Sequence, residues 1–179
     1  DEMQRLRGVR YLGIVCASVL LREPLAGYYV TNLLDDGLPF TGVIEMSALV
    51  PPARFGGRGL VYLPRYLTQD DPFWQLDDDA VRERFVAALE RMYPAFRRDD
   101  VVAFQVSRVR EVLAVTTLRY SREHMPPLDT SLPGVHVVNS AQIAQGTLNV
   151  NETVALGEAQ ARHLVARLAA TPSPQEVAA

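Results

Sequence analysis

The chain reads VRYLGIVCASVLL from Val9 to Leu21, a nearly continuous apolar run that is rich in β-branched residues. Such a run is typical of a strand buried on both faces of a sheet, and it is too short to span a bilayer. It contains the only cysteine of the chain, Cys16, which cannot form an internal disulfide. We expect Cys16 to be a reduced core residue, because free cysteine is among the most buried residue types.

Three further strands are predicted in the first part of the chain. GYYVTNLL, from Gly27 to Leu34, contains two neighbouring tyrosines. In TGVIEMSALV, from Thr41 to Val50, the middle residues alternate between the two faces of a strand. LVYLPRYL, from Leu60 to Leu67, contains Pro64, which cannot donate a ladder hydrogen bond. The far half of this strand is therefore expected at an edge or a bulge.

The clearest helix is predicted between Asp77 and Tyr93. Consecutive aspartates at its start suit an N-cap and the positive end of the helix dipole. Apolar residues then recur at helical spacing on one face. They are Val81, Phe85, Leu89 and Met92. Pro94 ends the helix, because proline cannot continue it.

The second half of the chain predicts one long strand and a closing unit. The segment AFQVSRV, residues 103–109, alternates at period two, and we place Arg108 and Arg110 on the polar face of this strand. Prolines then mark an irregular crossing. GVHVVN, residues 134–139, predicts a short final strand, and residues 151–168 predict a final helix.

This order of elements predicts an α+β fold rather than a regular βαβ alternation. We expect a mixed, largely antiparallel β-sheet with a helix between Asp77 and Tyr93 and a C-terminal β–loop–α unit. The 179 residues are enough for one domain with a sizeable core. The chain does not begin with Met, and we expect it to be a piece of a longer protein. Residues 171–179 are polar and proline-punctuated, and we expect a flexible tail.

The composition excludes several classes of function. With 48% hydrophobic and 22% charged residues, it is that of an ordinary globular protein. A net charge of −3 argues against a nucleic-acid partner, and no run is long enough for a membrane span. All 18 basic residues are arginine, which excludes a P-loop lysine and a Schiff-base lysine within this chain. No signal-peptide pattern is visible, so we expect a cytoplasmic location.

Common catalytic motifs are missing from the sequence. It has no G-x-S-x-G motif, and His124, His136 and His163 are scattered, without metal-ligand spacing. We therefore expect no metal site. RFGGRGLVYL, residues 54–63, is glycine-rich, but it lacks G-x-G-x-x-G and precedes a strand instead of following one. A mobile turn is the better interpretation of this segment.

The closing unit, residues 135–165, has two open interpretations. Asn149 and Asn151 are good N-cap residues, and Asn149 with Glu152 resembles a capping box. A helix start offers free N–H groups that suit an anionic ring edge or a pyrophosphate. The alternative is a capped amphipathic helix with an apolar face that is buried in the core. Its buried residues would be Val154, Ala161, Leu164, Val165 and Leu168.

Four segments together resemble the C-terminal half of FAD-dependent oxidoreductases of the flavin amine oxidase and protoporphyrinogen oxidase type. The resemblance is nearest to bacterial NAD(P)/FAD-dependent oxidoreductases that are UDP-galactopyranose mutase-like. It rests on the order and spacing of the segments between Tyr11 and Ala161. They are YLGIVCASVLLREPLAGYYVTNL, LPFTGVIEMSALVPP, GLVYLPRYLTQDDPFW and PGVHVVNSAQIAQGTLNVNETVALGEAQA.

The resemblance implies a division of the chain. Residues 1–131 would be a substrate-binding domain, and residues 132–170 would return to an FAD-binding domain that lies in a missing N-terminal region. FAD would then be the cofactor of the full-length protein, and we expect that this chain alone neither binds FAD nor is active. The implied cofactor-binding residues are Asn139, Ala141, Gln142, Asn149, Asn151 and Glu152. Glu152 departs from the family, in which many members have a small residue in the first turn of the last helix.

The implied substrate side takes residues from several segments. Glu45 is the strongest candidate, because an unpaired buried carboxylate is costly, and pairing with an arginine on an adjacent strand is its alternative. Arg65 or Arg119 would hold an anionic group, or would form surface ion pairs instead. The full set is Glu45, Ser47, Tyr62, Arg65, Tyr66, Arg119 and Tyr120.

Two functions from different classes follow. The first is a fragment of an amine oxidase-like flavoprotein that oxidises a C–H bond of a small-molecule substrate by hydride transfer to flavin, with no catalytic base assigned. The second is a non-catalytic α+β binding or dimerisation module, whose exposed strand edge pairs with another copy in a homo-oligomer.

Overall fold

The computed structural model describes residues 2–170 and arranges them as four helices and five strands. The strands are β1 (Tyr11–Leu21), β2 (Val30–Asn32), β3 (Gly42–Glu45), β4 (Gly59–Leu67) and β5 (Val101–Ala114). The helices are α1 (Glu2–Gly8), α2 (Asp78–Met92), α3 (Tyr120–Glu123) and α4 (Val150–Ala170). The predicted tail, residues 171–179, lies outside the described residues. None of the described helices is both long and apolar enough to cross a membrane.

The five strands form one antiparallel sheet in the order β2–β3–β4–β1–β5. β1 pairs with β4 along its length, from Gly13 opposite Leu67 to Leu21 opposite Gly59. The predicted α+β class is therefore confirmed, and the helix predicted between Asp77 and Tyr93 is α2.

Pro64 is accommodated because the pairing of β3 with β4 stops short of it. β3 pairs with β4 only through Ile44 opposite Tyr62 and Glu45 opposite Val61. Beyond them the Pro64 carbonyl accepts hydrogen bonds from the amide and the hydroxyl of Thr41, at 2.8 and 2.9 Å. The far half of β4 is thus open to this side, as the proline predicted.

The core lies between one face of the sheet and α2. Val15 and Val19 of β1 are fully buried there, and they belong to one cluster with Val81 and Phe85 of α2. Phe85 also meets the edge of the Phe40 ring, with centroids 5.2 Å apart. The helix begins as predicted, because the Asp77 side chain accepts a hydrogen bond from the amide of Ala80 at 2.8 Å.

The two faces of β1 differ, which corrects the prediction that the strand is buried on both. Residues 15, 17, 19 and 21 are buried, whereas residues 12, 14, 16, 18 and 20 on the opposite face are only partly buried. The apolar run alone could not separate the faces, because the open face is also largely apolar. Cys16 lies on this half-buried face rather than in the core.

Arg108 and Arg110 are exposed, as expected for a polar face of β5, but the same face also contributes to packing. Both share the side of the strand with Phe104 and Val106, which pack against the core. The Arg110 guanidinium lies 4.4 Å from the centroid of the Trp74 ring. Arg108 bonds to Asp78 and to the Leu76 carbonyl at the start of α2.

Several predicted strands are shorter in the structure. β2 keeps only Val30–Asn32 of its predicted eight residues, and the second half of the third strand is a 3₁₀ turn over Met46–Ala48. The predicted final strand is reduced to one bridge between Asp129 and His136. The Asp129 carboxylate also contacts the His136 ring at 2.8 Å and Arg167 at 2.6 Å, and these partners lower the pKa of Asp129.

The chain divides into two compact units. The sheet unit is Tyr11–Val112, and the terminal unit comprises the residues up to Arg10 and from Leu113 onward. The terminal unit contains α1, α3, α4 and the loop before α4. The division predicted at residue 131, which concerns the return to an FAD-binding domain, stays a prediction.

Candidate functional site

The terminal unit contains a cavity of about 410 Å³ where the loop before α4 meets the start of that helix. This volume lies within the range of about 300–1,000 Å³ that is usual for small-molecule sites. Its walls combine apolar and polar groups. The lining residues are Ser121, Met125, Gln142, Ile143, Ala144, Gln145, Gly146, Glu152 and Leu156.

The 3₁₀ turn Ser140–Gln142 forms one side of the cavity and is tightly braced. The Asn139 side chain accepts a hydrogen bond from the Ala141 amide, and the Gln142 side chain accepts one from the Asn139 amide, both at 2.9 Å. The Gln142 amide group also donates to the Val137 carbonyl at 2.9 Å. These three predicted cofactor residues therefore use their polar groups to shape the loop.

Asn149 begins α4 as an N-cap. Its side chain accepts a hydrogen bond from the Glu152 amide at 2.9 Å, and its carbonyl accepts from the Thr153 amide at 3.1 Å. The reciprocal capping-box bond from the Glu152 side chain does not form among the described residues. The Glu152 carboxylate instead lies against Gly146 in the cavity wall. Asn151 is exposed on the first helical turn.

The hydrogen-bond donors of this site that have no acceptor are backbone amides. Within the part of the chain that the structure describes, the amides of Ala144, Gln145 and Gly146 make no hydrogen bond. The first-turn amides of α4 add donors, because a helix start leaves its N–H groups without intrahelical acceptors. The cavity can therefore hold a group rich in hydrogen-bond acceptors. Glu152 opposes a negative charge there.

Glu45 and Ser47, predicted to face substrate, meet in the sheet unit in a different role. Glu45 is 1% exposed, and its carboxylate accepts hydrogen bonds from the amides of Leu25, Ala26 and Gly27 at 2.8 to 2.9 Å. The Ser47 hydroxyl donates to the same carboxylate at 3.3 Å. The charge is thus balanced by backbone amides and not by an arginine, which was the alternative prediction.

Arg65 lies on the opposite side of β4 from Tyr62 and Tyr66. Its guanidinium stacks 4.7 Å from the Phe73 ring centroid and contacts Asp71 at 3.6 Å. It also donates to the Pro39 carbonyl at 3.2 Å. Because successive residues of a strand face opposite sides, the structure does not bring Arg65 together with the two tyrosines.

Tyr62 and Tyr66 belong to an open apolar face of the sheet unit, which we call the open face. In the register of β1 and β4, Ile14 lies opposite Tyr66, Ser18 opposite Tyr62 and Leu20 opposite Leu60. The open-face residues are Ile14, Cys16, Ser18, Leu20, Ile44, Leu60, Tyr62 and Tyr66. Of these residues only the two tyrosines were predicted as site residues, although the largely apolar even-numbered positions of β1 also indicated this face.

Cys16 on the open face is not an activated nucleophile. Burial raises the pKa of its thiol, and a hydrogen bond with the Leu63 backbone only partly opposes this effect. Reactive cysteines have a lowered pKa, so Cys16 contributes apolar surface.

Among the described residues no three His, Cys, Asp or Glu side chains come together as a metal site would require.

Arg119 and Tyr120 are neighbours in the sequence, but the side chain of Arg119 is exposed and that of Tyr120 is buried. Arg119 has a left-handed backbone with φ of 60°, is exposed, and pairs with Glu123 at 3.4 Å. Tyr120 is 4% exposed, and its hydroxyl donates to the Ala141 carbonyl at 2.7 Å. Tyr120 therefore anchors the cavity loop through the Ala141 carbonyl, whereas the prediction placed Tyr120 in a substrate pocket.

The fold of the chain is similar to that of a known structure. No protein-family model matches the chain, and no curated protein matches it. Among solved structures, the chain is similar to the crystal structure of an oxidoreductase from Methanosarcina mazei, with a TM-score of 0.61 and 20% sequence identity. The similarity covers 90% of this chain and 36% of that one. The chain thus spans about a third of the length of the oxidoreductase, and at this identity the likeness shows the fold alone.

One face of α4 stays exposed in the terminal unit. Val150, Val154, Val165 and Leu168 are 53 to 77% exposed, at helical spacing that places them on one stripe. We call them the α4 stripe. The interpretation of α4 as a helix with a buried apolar face is therefore wrong for Val154, Val165 and Leu168. Ala161 is exposed as well, whereas Leu164 is partly buried.

Proposed function

We propose that the chain is the substrate-binding part and the closing FAD segment of an amine oxidase-like FAD-dependent oxidoreductase. The observation that carries the proposal is the likeness to an oxidoreductase, which covers 90% of this chain but 36% of the other. A fragment of a longer enzyme would produce such a one-sided match. The resemblance of the four sequence segments to the same class of enzyme is independent support.

The cavity before α4 supports a role in holding the flavin end of FAD. The chemistry that FAD supplies when bound is the acceptance of a hydride from a substrate C–H bond. The free amides of Ala144, Gln145 and Gly146 would donate hydrogen bonds to the acceptor-rich ring. Glu152 fits less well, because its carboxylate repels negative charge at the ring edge and must turn away or be balanced.

The open face of the sheet unit suits the substrate side of the proposed reaction. Its apolar side chains would exclude water from a substrate with a reacting C–H bond, and the hydroxyl groups of Tyr62 and Tyr66 would orient polar groups on that substrate. Glu45 and Ser47 hold the loop at residues 25–27 and act on such a site only through that loop. We assign no catalytic base.

The α4 stripe supports the missing N-terminal FAD-binding region as the partner of the terminal unit. Large apolar side chains on one helix face are rarely left in water in a complete protein. In the proposed enzyme this stripe would pack against the FAD-binding domain. That packing would bring the loop before α4 to the cofactor.

A pair of visible absorption spectra tests the proposal. The 179-residue chain and the complete product of its gene are purified side by side, with and without added FAD. Flavin bands in the complete protein but not in the chain would support a divided cofactor site. The absence of bound flavin from both proteins after reconstitution would contradict it.

The double variant Val154→Asp with Val165→Asp in the complete protein should lose flavin, whereas Val102→Asp on β5 should not.

One observation favours the alternative, a dimerisation module. β5 is a 14-residue strand at the edge of the sheet, and Val102 and Val109 are 44% and 46% exposed. A long edge strand offers unpaired backbone groups to a second copy of the chain. Sedimentation analysis of the chain should then show a dimer that Val102→Lys with Val109→Lys dissociates. A monomer at all concentrations would exclude this function.

A further inference from the structure

Two adjoining cavities in the terminal unit lie outside the site described above. Their volumes are about 280 and 370 Å³, and they share no lining residue with the cavity at Glu152. Both have Gly8 and His124 in their walls. One adds Arg10, Val115, Thr117, Leu118 and Tyr120, and the other adds Gln4, Arg5 and Glu123. We call them the paired cavities.

The paired cavities are lined by cationic groups that are not otherwise engaged. The side chains of Arg5 and Arg10 make no hydrogen bond or ion pair with any residue that the structure describes. Glu123 is the acid in these walls, and it already pairs with Arg119 at 3.4 Å. Each cavity thus has one guanidinium group with no counter-charge among the described residues, which favours an anionic ligand, because guanidinium binds carboxylate in a bidentate geometry.

The cavity beside Arg10 also has an apolar wall, whereas the cavity beside Arg5 is lined by polar and charged side chains and Gly8. Val115 and the ring of Tyr120 line one of them, and Leu118 stands at the same wall although it is 88% exposed. Between Leu118 and Tyr120 the backbone of Arg119 is left-handed, with φ of 60°. A non-glycine residue seldom adopts this conformation outside functional sites and constrained turns. This turn leaves the Leu118 side chain exposed at the cavity, where an apolar group of a ligand could pack against it.

We propose that the paired cavities bind a small organic monoanion, a carboxylate with an aliphatic or aromatic body. The carboxylate is held by Arg10 and Arg5, and the body packs on Val115, Leu118 and Tyr120. The Thr117 hydroxyl and the His124 ring offer further hydrogen-bond donors. Glu123 disfavours a second negative charge on the ligand. The site is independent of FAD and of the proposed oxidoreductase function.

Calorimetric titration of the 179-residue chain with octanoate and with 1-octanol tests this site. Octanoate should bind at least about tenfold more tightly than 1-octanol, the expected scale for a charged hydrogen-bonded contact. Arg10→Gln and Arg5→Gln should each weaken octanoate binding by about fivefold to tenfold. Arg7→Gln is the matched control, because Arg7 lies on the same helix and lines neither cavity.

Gly8→Leu provides a test that does not change charge. A Cβ atom at Gly8 would meet no atom within 4 Å, so we expect leucine to extend into the shared space without displacing the backbone. Octanoate binding should then be lost while the circular dichroism spectrum is unchanged. Equal affinities for octanoate and 1-octanol would overturn the proposal. Octanoate binding that is unaffected by Gly8→Leu and by both arginine variants would also overturn it, because it would assign the ligand to another surface.

Discussion

The carboxylate of Glu152 lies against Gly146, so closely that a methyl group on Gly146 would stand 3.0 Å from both Cδ and Oε2 of Glu152. The pair joins the first turn of α4 to the loop that forms the cavity. The contact is possible because Gly146 has no side chain, and it directs a negative charge into a wall that otherwise offers amide donors.

Glu152→Gln should therefore increase the affinity of the complete gene product for FAD severalfold. The substitution keeps the size of the side chain and removes the charge that opposes an anionic ring edge. The measurement is the quenching of flavin fluorescence as FAD is titrated into the apoprotein. Glu158→Gln is the control, since Glu158 lies on the same helix but pairs with Arg162 at 3.5 Å. Equal effects of the two variants would contradict a local role of Glu152.

Removal of the Glu45 carboxylate should destabilise the sheet unit strongly. Glu45→Ala leaves three backbone amides at residues 25–27 without their acceptor, and we expect a loss of about 2–4 kcal/mol in the free energy of unfolding. Glu45→Gln keeps one acceptor oxygen and should lose less. Urea unfolding followed by tryptophan fluorescence measures both. Glu111→Gln on the exposed side of β5 should change stability by less than about 0.5 kcal/mol. A similar small change for Glu45→Ala would refute the anchoring role.

Two glycine substitutions should act in opposite directions. Alanine at Gly59 would place its Cβ 2.5 Å from the Glu23 carbonyl oxygen and 2.9 Å from Cα of Pro24, so the backbone must shift. We expect a destabilisation of about 1–3 kcal/mol. Alanine at Gly157, within α4, meets no atom within 4 Å and should favour the helix by about 0.5–1 kcal/mol. Thermal unfolding by circular dichroism compares them, and a tolerated Gly59→Ala would show that the loop at residues 23–24 is free to move.

The stability of the chain should fall at alkaline pH in part because of Cys16. Burial raises the pKa of the folded thiol, whereas the unfolded thiol ionises near its ordinary pKa of about 8.5. Above that pH the unfolded state binds fewer protons than the folded state, so the free energy of unfolding decreases as pH rises. Cys16→Ala should remove this component of the slope.

Tyr11 contributes a separate alkaline component, which Cys16→Ala leaves in place. Burial, and then the charge of Glu111, raise the pKa of Tyr11. Urea unfolding of the chain and of Cys16→Ala between pH 7 and about 11 separates the two, because the unfolded tyrosine ionises only near pH 10. In the same range Cys16 should react with iodoacetamide far more slowly in the folded chain than in urea. Equal reaction rates would show that the thiol is not protected.

Short-range signals explain which elements were predictable. The aspartates before α2 and the spacing of Val81, Phe85 and Leu89 act within a few residues, and the helix has the predicted bounds. Pro64 likewise acts locally, since its ring removes one donor wherever the strand lies. The prediction of a final strand was wrong, because GVHVVN forms only one bridge, between His136 and Asp129. A strand requires a neighbouring strand, which the local sequence does not reveal.

Of the residues that line the candidate cavity, the sequence predicted Gln142 and Glu152 as cofactor-binding residues, and that role stays a prediction. Asn139, Gln142 and Asn149 lie at the cavity loop and the helix start, as the local pattern of polar residues indicated. Their side chains are used to brace the backbone, and the free donors are the amides of residues 144–146. Sequence patterns report side chains, so they could not identify which main-chain amides are left free.

The sequence by itself determined the α+β class, the capped helix α2 and the N-cap of α4, because these follow from hydrophobic period and from side chains that bond to nearby backbone. Only the tertiary structure decided which face of β1 is buried, that Glu45 is satisfied by the amides of residues 25–27, and that Arg65 points away from Tyr62 and Tyr66. Each of these depends on which distant segment lies opposite. The partners of a buried charge or an open face are chosen by packing over tens of residues, which no local pattern encodes.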